Sequence, residues 1–136
     1  MVMPHNERVG RGLDAVRDGI KPVCEAAWKA AYGDAWADEV HGRDRGVAGK
    51  PDPSDLIFLL KGMQNTWQEV WRQRLGQSER AYTSELRDFR NTWAHQGHFS
   101  TDDTYRMLDT AERLLSAFSA AEQLKIVQAL KKDLQR

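Results

Sequence analysis

Apolar residues recur at steps of three and four from residue 9 to residue 31. This spacing places them on one face of a helix, so it predicts a helix from about Asn6 to Tyr32. The stripe keeps its phase across Pro22, which predicts a kink within one helix rather than two separate helices. The members of the stripe are Val9, Leu13, Val16, Ile20, Val23, Ala27 and Ala31.

The segment from residue 33 to residue 53 changes character, because glycine and proline interrupt it repeatedly. Trp36 and Val40 are spaced for a short helical turn, and the remainder, GRDRGVAGKPDP, is predicted to be a loop. Few apolar residues anchor this loop, so residues 42–53 are expected to be the most mobile internal segment. A loop of this length inside a small domain is often functional.

Two further helices are predicted after the loop. A stripe of apolar residues predicts a second helix over residues 56–71, with Asp55 or Ser54 as its N-terminal cap. A third helix is predicted over about residues 78–95, and Gly97 ends it. The buried stripe of this third helix is predicted to be Tyr82, Leu86, Phe89 and Trp93.

The last two helices begin with capping signals. Ser100 is placed to cap a fourth helix, and Ser119 with Glu122 matches a capping box for a fifth. No segment alternates with period two, so the predicted fold class is all-α. We expect four main helices packed as a bundle, with the fifth, C-terminal helix beside it. The apolar stripes are Leu108, Ala111, Leu115 and Phe118 in the fourth helix, and Leu124, Val127, Leu130 and Leu134 in the fifth.

Length and charge narrow the class of protein. A chain of 136 residues is expected to form one domain over residues 1–136. Its 20 lysine and arginine residues balance 20 aspartate and glutamate residues, so no bulk charge favours nucleic acid or a membrane. The one cysteine, Cys24, fits a reducing cytoplasm and is expected to be a small buried hydrophobe. No apolar run is long enough to span a membrane.

The stretch RNTWAHQ, residues 90–96, contains the candidate chemistry. Trp93 falls on the apolar stripe of the third helix and is predicted to be part of the core. Arg90 lies at the flank of that stripe, and His95 points about 140° away from Arg90 on a regular helix. Either the helix loosens before Gly97, or a site gathers groups from two copies of the chain. The spacing alone is a weak signal, because an arginine followed closely by a histidine arises about once by chance in such a chain.

The sequence around this stretch resembles the HEPN superfamily, named for higher eukaryotes and prokaryotes nucleotide-binding. The resemblance is carried by SELRDFRNTWAHQGHFSTDDTYRMLDTAERLL at residues 84–115, and by NERVGRGLDAVRDGIKPVCEAAWKAAYGD and DLIFLLKGMQNTW before it. These segments look like a subgroup named after a eukaryotic nuclear RNA-surveillance endonuclease. The resemblance covers nearly the whole chain except the loop at 42–53, and it implies a HEPN-type four-helix bundle that forms homodimers.

The resemblance also implies an activity. Active members are metal-independent ribonucleases with an Arg-x(4–6)-His motif and no cofactor, and the motif carries over as Arg90 and His95, with Asn91 as the polar residue after the arginine. Histidine suits proton transfer near neutral pH, and arginine suits phosphate. Cleavage through the 2′-hydroxyl of RNA would leave DNA uncut. Some toxins of the family carry a modifiable tyrosine two residues after the histidine; Gly97 stands there instead.

The resemblance suggests the partners of such a protein as well. We expect RNA as substrate, a second copy of the chain, and no membrane. A toxin or defence effector of this kind would also meet an antitoxin or carry fused ATPase or nuclease domains.

Each candidate residue also has a plainer interpretation. Arg90 and His95 fit a polar pair at a helix end in a non-catalytic dimerisation or nucleotide/RNA-sensing module of a larger multidomain protein. Asn91 suits structural bonding as well as catalytic support. Glu85 is spaced to orient Arg90, but a solvated surface carboxylate is the favoured interpretation. His95 and His98 lack a third ligand, so no metal site is predicted.

Overall fold

Six α-helices make up most of residues 2–136, the part of the chain that a computed structural model describes. They are α1 (His5–Tyr32), α2 (Trp36–Gly42), α3 (Leu56–Asn65), α4 (Gln77–Ala94), α5 (Thr101–Ala117) and α6 (Ala121–Leu134). A 3₁₀ turn over Gly33–Ala35 follows α1, and a π-helical turn over Trp67–Trp71 follows α3. No strand occurs between residues 2 and 136, which confirms the all-α class. Within the same range, no helix combines the length and the apolar character needed to cross a membrane.

The central helix of the bundle is α1. It packs against α3, α4, α5 and α6, while α4 packs between α3 and α5. The additional C-terminal helix, α6, lies against both α5 and α1, as predicted. α1 continues through Pro22, whose side chain is exposed, so the prediction of one helix rather than two is confirmed.

Two glycines allow α1 to approach α5 closely. A Cβ atom on Gly19 would lie 2.4 Å from Leu115 Cδ2, and one on Gly12 would lie 3.0 Å from Leu108 Cδ2. Contacts this short would require the leucine side chains or the helices to shift, because a packed interior has few voids to absorb extra atoms. Gly12 and Gly19 therefore mark a close contact between α1 and α5.

The core beside α3 is built from tryptophans. Trp28 stacks on Trp36 with 5.8 Å between ring centroids, and Trp71 meets Trp28 edge-on at 6.0 Å. The hydroxyl of Thr66 accepts hydrogen bonds from Trp28 Nε1 at 3.0 Å and Trp71 Nε1 at 3.2 Å, and it donates to the carbonyl oxygen of Gly62 at 2.7 Å. One buried hydroxyl thus satisfies both indole N–H groups inside an apolar core.

This hydroxyl explains why the second predicted helix is interrupted. The sequence predicts a continuous helix over residues 56–71, but α3 ends at Asn65 and the π-helical turn begins after Thr66. In that turn Arg72 N donates to Trp67 O, five residues back. A threonine hydroxyl that bonds the carbonyl four residues earlier tends to bend a helix. Its indole partner Trp28 comes from α1, so apolar periodicity could not reveal the break.

Two predicted N-terminal caps are confirmed. Asp55 Oδ1 accepts a hydrogen bond from Ile57 N at 3.0 Å at the start of α3. Ser100 Oγ accepts one from Asp103 N at 3.0 Å at the start of α5. Each oxygen satisfies a backbone donor that has no partner within the helix.

The capping box predicted at Ser119 is wrong, because α6 begins after Ala120 without a side-chain cap. Ser119 has φ 55°, in the left-handed region, and its N donates to Ser116 O at 3.0 Å. Ala120 N donates to Leu115 O at 3.0 Å. These two bonds form a Schellman motif that ends α5. An N-cap residue needs extended backbone, so Ser119 cannot serve both helices.

The loop between α2 and α3 is held at its start. Arg43 Nη2 lies 2.8 Å from Glu69 Oε2, and Lys61 Nζ lies 2.7 Å from Asp44 Oδ2. Residues 45–50 that follow have exposed side chains. The predicted mobility therefore applies best to this middle part of the loop.

Candidate functional site

The candidate motif lies at the C-terminal end of α4, where the helix stops in a second Schellman motif. Helical hydrogen bonding continues as far as His95, whose N donates to Asn91 O at 3.1 Å. Gln96 has φ 56°, and Gly97 N donates back to Thr92 O at 2.8 Å. The helix does not loosen before His95, so the arginine and the histidine keep their divergent helical directions.

Close packing requires glycine at position 97. A Cβ atom on Gly97 would lie 2.5 Å from Thr92 Cγ2 and 3.0 Å from Thr92 O. Asn6 Nδ2 donates to Gly97 O at 3.1 Å, so the first turn of α1 fixes the segment that follows α4. Any side chain at position 97 would need Thr92 to move.

The three predicted site residues differ in exposure. His95 is the C-cap of α4, and its side chain is exposed. Asn91 and Arg90, about one turn earlier, are partly buried. The imidazole therefore stands open to a ligand at the negative end of the helix dipole.

Arg90 extends from α4 towards the start of α3. Its Nη2 lies 3.4 Å from Asp55 Oδ1, and the arginine side chain is 27% exposed. The same oxygen accepts the capping hydrogen bond from Ile57 N, so one carboxylate both caps α3 and positions Arg90. Arginine carries five N–H donors, so this contact leaves donors for a ligand. The sequence identifies Asp55 only as a cap, because its pairing with Arg90 arises from the packing of α3 on α4.

The prediction that Trp93 belongs to the core is wrong. The residue is 42% exposed, whereas Leu86, two turns earlier on the same stripe, is fully buried. Trp93 packs on the first turns of α1, where its Nε1 donates to Asn6 O at 3.1 Å. A Cβ atom on Gly10 would lie 3.0 Å from that nitrogen. The stripe has the right direction, but the bundle ends at this level and solvent reaches one side of the indole.

A cavity of about 270 Å³ lies beside this indole, between the first part of α1, the start of α3 and the end of α4. His95 is not among the residues that line it. One copy of the chain therefore places Arg90 and Trp93 at a common cavity and leaves His95 outside it. The residues that give this cavity its polar and aromatic character are Asp14, Arg17, Asp52, Asp55, Arg90 and Trp93.

Glu85 does not orient Arg90. Its Oε1 accepts a hydrogen bond from Arg106 Nε at 2.6 Å and another from Thr110 Oγ1 at 2.8 Å. These contacts tie α4 to α5 and raise the pKa of the Arg106 guanidinium. The expectation of a simple solvated carboxylate is therefore wrong as well. The partners of Glu85, Arg106 and Thr110, lie on α5, and sequence spacing does not connect that helix to Glu85.

With this geometry in place, comparison with known proteins identifies the family. A family model described as Swt1-like HEPN matches residues 11–119, which is most of the chain. The chain belongs to the Swt1-like HEPN family. No curated protein and no solved structure gives a significant match to it.

The HEPN assignment confirms the resemblance found in the sequence. The matched region extends from α1 to the end of α5 and includes Arg90, Asn91 and His95, while α6 follows it. Swt1, which gives the family its name, is a eukaryotic nuclear RNA-surveillance endonuclease. HEPN domains are generally associated with ribonucleases.

Two further side chains of this HEPN domain are buried, a thiol and a guanidinium. Cys24 is fully buried, as expected, and burial raises the pKa of its thiol. Arg8, which the sequence does not single out, is 2% exposed and donates from Nη1 to Leu130 O at 2.9 Å and to Asp133 Oδ2 at 3.1 Å. Arg8 thereby joins the start of α1 to the end of α6. Within residues 2–136, no three histidine, cysteine, aspartate or glutamate side chains are grouped to hold a metal ion.

Proposed function

We propose that this protein is a metal-independent endoribonuclease that cuts RNA at a composite site formed by Arg90, Asn91 and His95 in a homodimer. The observation that carries the proposal is the Arg-x4-His motif of a HEPN family member at the end of α4, with an exposed imidazole and a guanidinium that is held in place. In this proposal His95 transfers protons and Arg90 binds the phosphate. Asn91 acts as a positioning group.

The reaction uses the substrate's own nucleophile. His95 accepts the proton of the 2′-hydroxyl, whose oxygen attacks the adjacent phosphorus. Arg90 stabilises the negative charge that develops on the phosphorane oxygens. The bond from phosphorus to the 5′ oxygen then breaks, and a protonated imidazole donates a proton to that leaving oxygen. The products are a 2′,3′-cyclic phosphate and a 5′-hydroxyl, and DNA lacks the hydroxyl that starts the reaction.

The divergent directions of the two side chains support the proposed dimer. Helical bonding reaches His95, and His95 lies outside the cavity that Arg90 lines. We therefore propose that the ends of α4 from two copies lie near a two-fold axis, so that each copy supplies groups to a shared site. Light scattering at tens of micromolar should give the mass of a dimer, and a monomer mass would contradict this arrangement.

The decisive experiment incubates the purified dimer with mixed RNA in excess chelator. Wild type should cut, and the ends should be 2′,3′-cyclic phosphates. His95→Ala should slow cleavage by about 10²- to 10⁴-fold, the usual loss for a general acid or base. Arg90→Ala should also abolish detectable cleavage while both variants stay folded, because neither residue belongs to the buried core.

Matched variants separate the motif from general effects of charge. His98→Ala removes an exposed histidine three residues beyond His95. Arg87→Ala removes an arginine that also reaches from α4 to α3, where its Nη1 donates to Gln64 Oε1 at 3.0 Å. Both control variants should retain activity. Equal cleavage by wild type and His95→Ala would show that the activity comes from a contaminant.

A second candidate function is a non-catalytic HEPN module for dimerisation or for sensing nucleotides or RNA in a larger protein. The Arg90–Asp55 ion pair favours it, because a carboxylate already occupies one side of the guanidinium. A wild-type dimer that binds RNA but never cuts it, alone or with its parent protein, would establish this alternative. If the protein cuts RNA, we propose that it acts as a toxin or defence effector. Its partners would then be an antitoxin, or fused ATPase or nuclease domains.

A further inference from the structure

The cavity beside Arg90 has the features of a site for one planar base. Its volume is about 270 Å³, and it opens between α1, α3 and α4 rather than at the exposed tip of α4. Arg90 forms part of its wall, and His95 lies outside it. A ligand inside the cavity would therefore sit beside the cutting position, not at it.

Trp93 supplies an aromatic surface whose position is fixed. Its Nε1 donates to Asn6 O at 3.1 Å, and the indole packs on Gly10, which has no side chain to displace it. The remaining 42% of the residue is exposed. An indole that is already held loses little conformational freedom when a base stacks on it. Stacking of this kind is a common way in which proteins bind single-stranded RNA.

The charge of the cavity wall favours a base over a phosphate. Three carboxylates line the cavity, and two of them have cationic partners: Asp14 lies 3.2 Å from Arg17 Nη1, and Asp55 lies 3.4 Å from Arg90 Nη2. Asp52 accepts a hydrogen bond from a backbone N–H, that of Ser54, at 3.1 Å. Within residues 2–136 no lysine or arginine forms an ion pair with Asp52. Carboxylates only accept hydrogen bonds, so the Asp52 side of the wall would attract N–H donors and repel a phosphate, for which the Arg90 side is suited.

We propose that this cavity is a subsite for a guanine base of the RNA substrate. Guanine is the base that presents two adjacent N–H donors, from its ring N1 and its exocyclic amino group, and a carboxylate accepts both together. Trp93 stacks on the base, Asp52 accepts its N–H donors, and the adjoining phosphate then lies next to Arg90. This inference rests on the proposed ribonuclease function for its choice of RNA, but binding of the base can be measured without cleavage.

The first test is calorimetric titration of the 136-residue chain with guanosine, adenosine, cytidine and uridine monophosphates. All four carry the same phosphate, so differences in affinity report on the base. Guanosine monophosphate should bind about tenfold or more tightly than the others, the usual discrimination of a paired hydrogen-bond contact. Trp93→Leu should weaken its binding by about tenfold or more, whereas Trp93→Phe, which retains a ring, should keep most of it.

Asp52→Asn isolates the part played by the carboxylate. It should reduce the affinity for guanosine monophosphate to that for adenosine monophosphate and leave stacking intact. Asp38→Asn, at an exposed position on α2, is the matched control and should leave the preference unchanged. Circular dichroism of Trp93→Leu should match wild type, because the residue is outside the fully buried core.

Cleavage gives the second readout. Trp93→Leu should raise the KM for guanine-containing RNA more than it lowers kcat, and it should raise the KM for RNA without guanine by a smaller factor. Saturable, guanine-selective binding by a protein that cuts no RNA would support the subsite and would remove the proposed ribonuclease function. Cleavage that is unchanged by Trp93→Leu and Asp52→Asn, with no selective binding, would overturn the subsite alone. An indole that acrylamide cannot reach in the dimer would also overturn it, because a second copy would then cover the open side.

Discussion

At the scale of single residues, Thr66 is the polar group on which the core depends most. Its hydroxyl makes three hydrogen bonds, two as acceptor from indoles and one as donor to a backbone carbonyl. No pattern of apolar residues marks it, because its partners Trp28 and Trp71 are brought to it by the packing of α1 on the segment after α3. A small polar residue here stabilises large aromatic ones.

Thr66→Val should lower the free energy of unfolding by about 2–6 kcal/mol. Valine keeps the shape but leaves two buried indole N–H groups without an acceptor, and each such loss costs about 1–3 kcal/mol. Thr66→Ser keeps the hydroxyl and loses one methyl group, so it should cost about 1 kcal/mol. Urea denaturation of the three proteins measures the difference. Equal stability of the two variants would show that the hydrogen bonds are not what matters.

For single residues, the sequence predicted the face of the helix on which each side chain lies. It did not predict which residues of other helices that side chain contacts. Leu86 and Trp93 lie on the same predicted stripe, yet only Leu86 is fully buried, because α4 extends past the end of the bundle. Asp55 was recognisable as a cap from its place before an apolar run, but its contact with Arg90 is tertiary. The family motif indicated Arg90 and His95, whereas the cavity next to them could be found only in the fold.

At the scale of helices, the boundaries predicted from periodicity agree closely with the structure except at Thr66, where the second predicted helix breaks, and at Ser119, where two elements compete for one residue. α1 was predicted to start near Asn6 and starts at His5, and α4 was predicted to end near His95 and ends at Ala94. Ser119 could have capped α6, but the end of α5 uses it in the left-handed conformation. The N-cap signal for α6 and the C-terminal signal for α5 are both local in sequence. Which of them Ser119 follows depends on how α5 and α6 pack.

Ser119→Gly should raise the free energy of unfolding by about 0.5–1 kcal/mol, because a left-handed backbone costs a non-glycine residue about 1–2 kcal/mol and glycine almost nothing. Ser84→Gly, at an exposed position within α4, is the control and should instead lower it by about 1 kcal/mol. Thermal unfolding followed by circular dichroism measures both. A destabilising Ser119→Gly would contradict the assigned motif.

At the scale of the whole molecule, ion pairs fasten α6 to the bundle. Lys131 Nζ of α6 lies 3.0 Å from Asp109 Oδ1 of α5, and within α5 Arg113 Nε lies 3.1 Å from Asp109 Oδ2. The hydrogen bond from Lys131, and then that from Arg113, lower the pKa of the Asp109 carboxyl. A carboxyl with a lowered pKa in the folded state stabilises the fold at neutral pH and loses that contribution in acid.

Asp109→Asn should therefore reduce stability at pH 6 to 7 and have a smaller effect in acid. The contribution of Asp109 is fully present above its unfolded pKa of about 4 and disappears as the pH falls through its lower folded value. Urea denaturation of wild type and variant at several pH values gives the comparison. Asp34→Asn, an exposed residue in the turn after α1, should show no such trend. A difference that stays constant from pH 7 to pH 2 would assign the effect to packing.

Local opening should be uneven across the molecule. Amides of residues 45–50 should exchange faster than those of α3, because their side chains are exposed while the helix beside them carries core residues. Hydrogen exchange with mass spectrometry resolves the two segments. Equal protection would mean that the ion pairs at the start of the loop hold its full length.

The tight contact at Gly97 sets an order in which mutations can be accepted. The methyl group of Thr92 would lie 2.5 Å from a new Cβ, so Gly97→Ala should fail as a first step. Thr92→Ser removes that methyl group, and the remaining close contact at position 97 is then the backbone oxygen of residue 92, 3.0 Å from the new Cβ. The tyrosine that some HEPN toxins carry at this place should therefore be easier to accept after Thr92 has changed than before, and a small backbone shift has to accompany it.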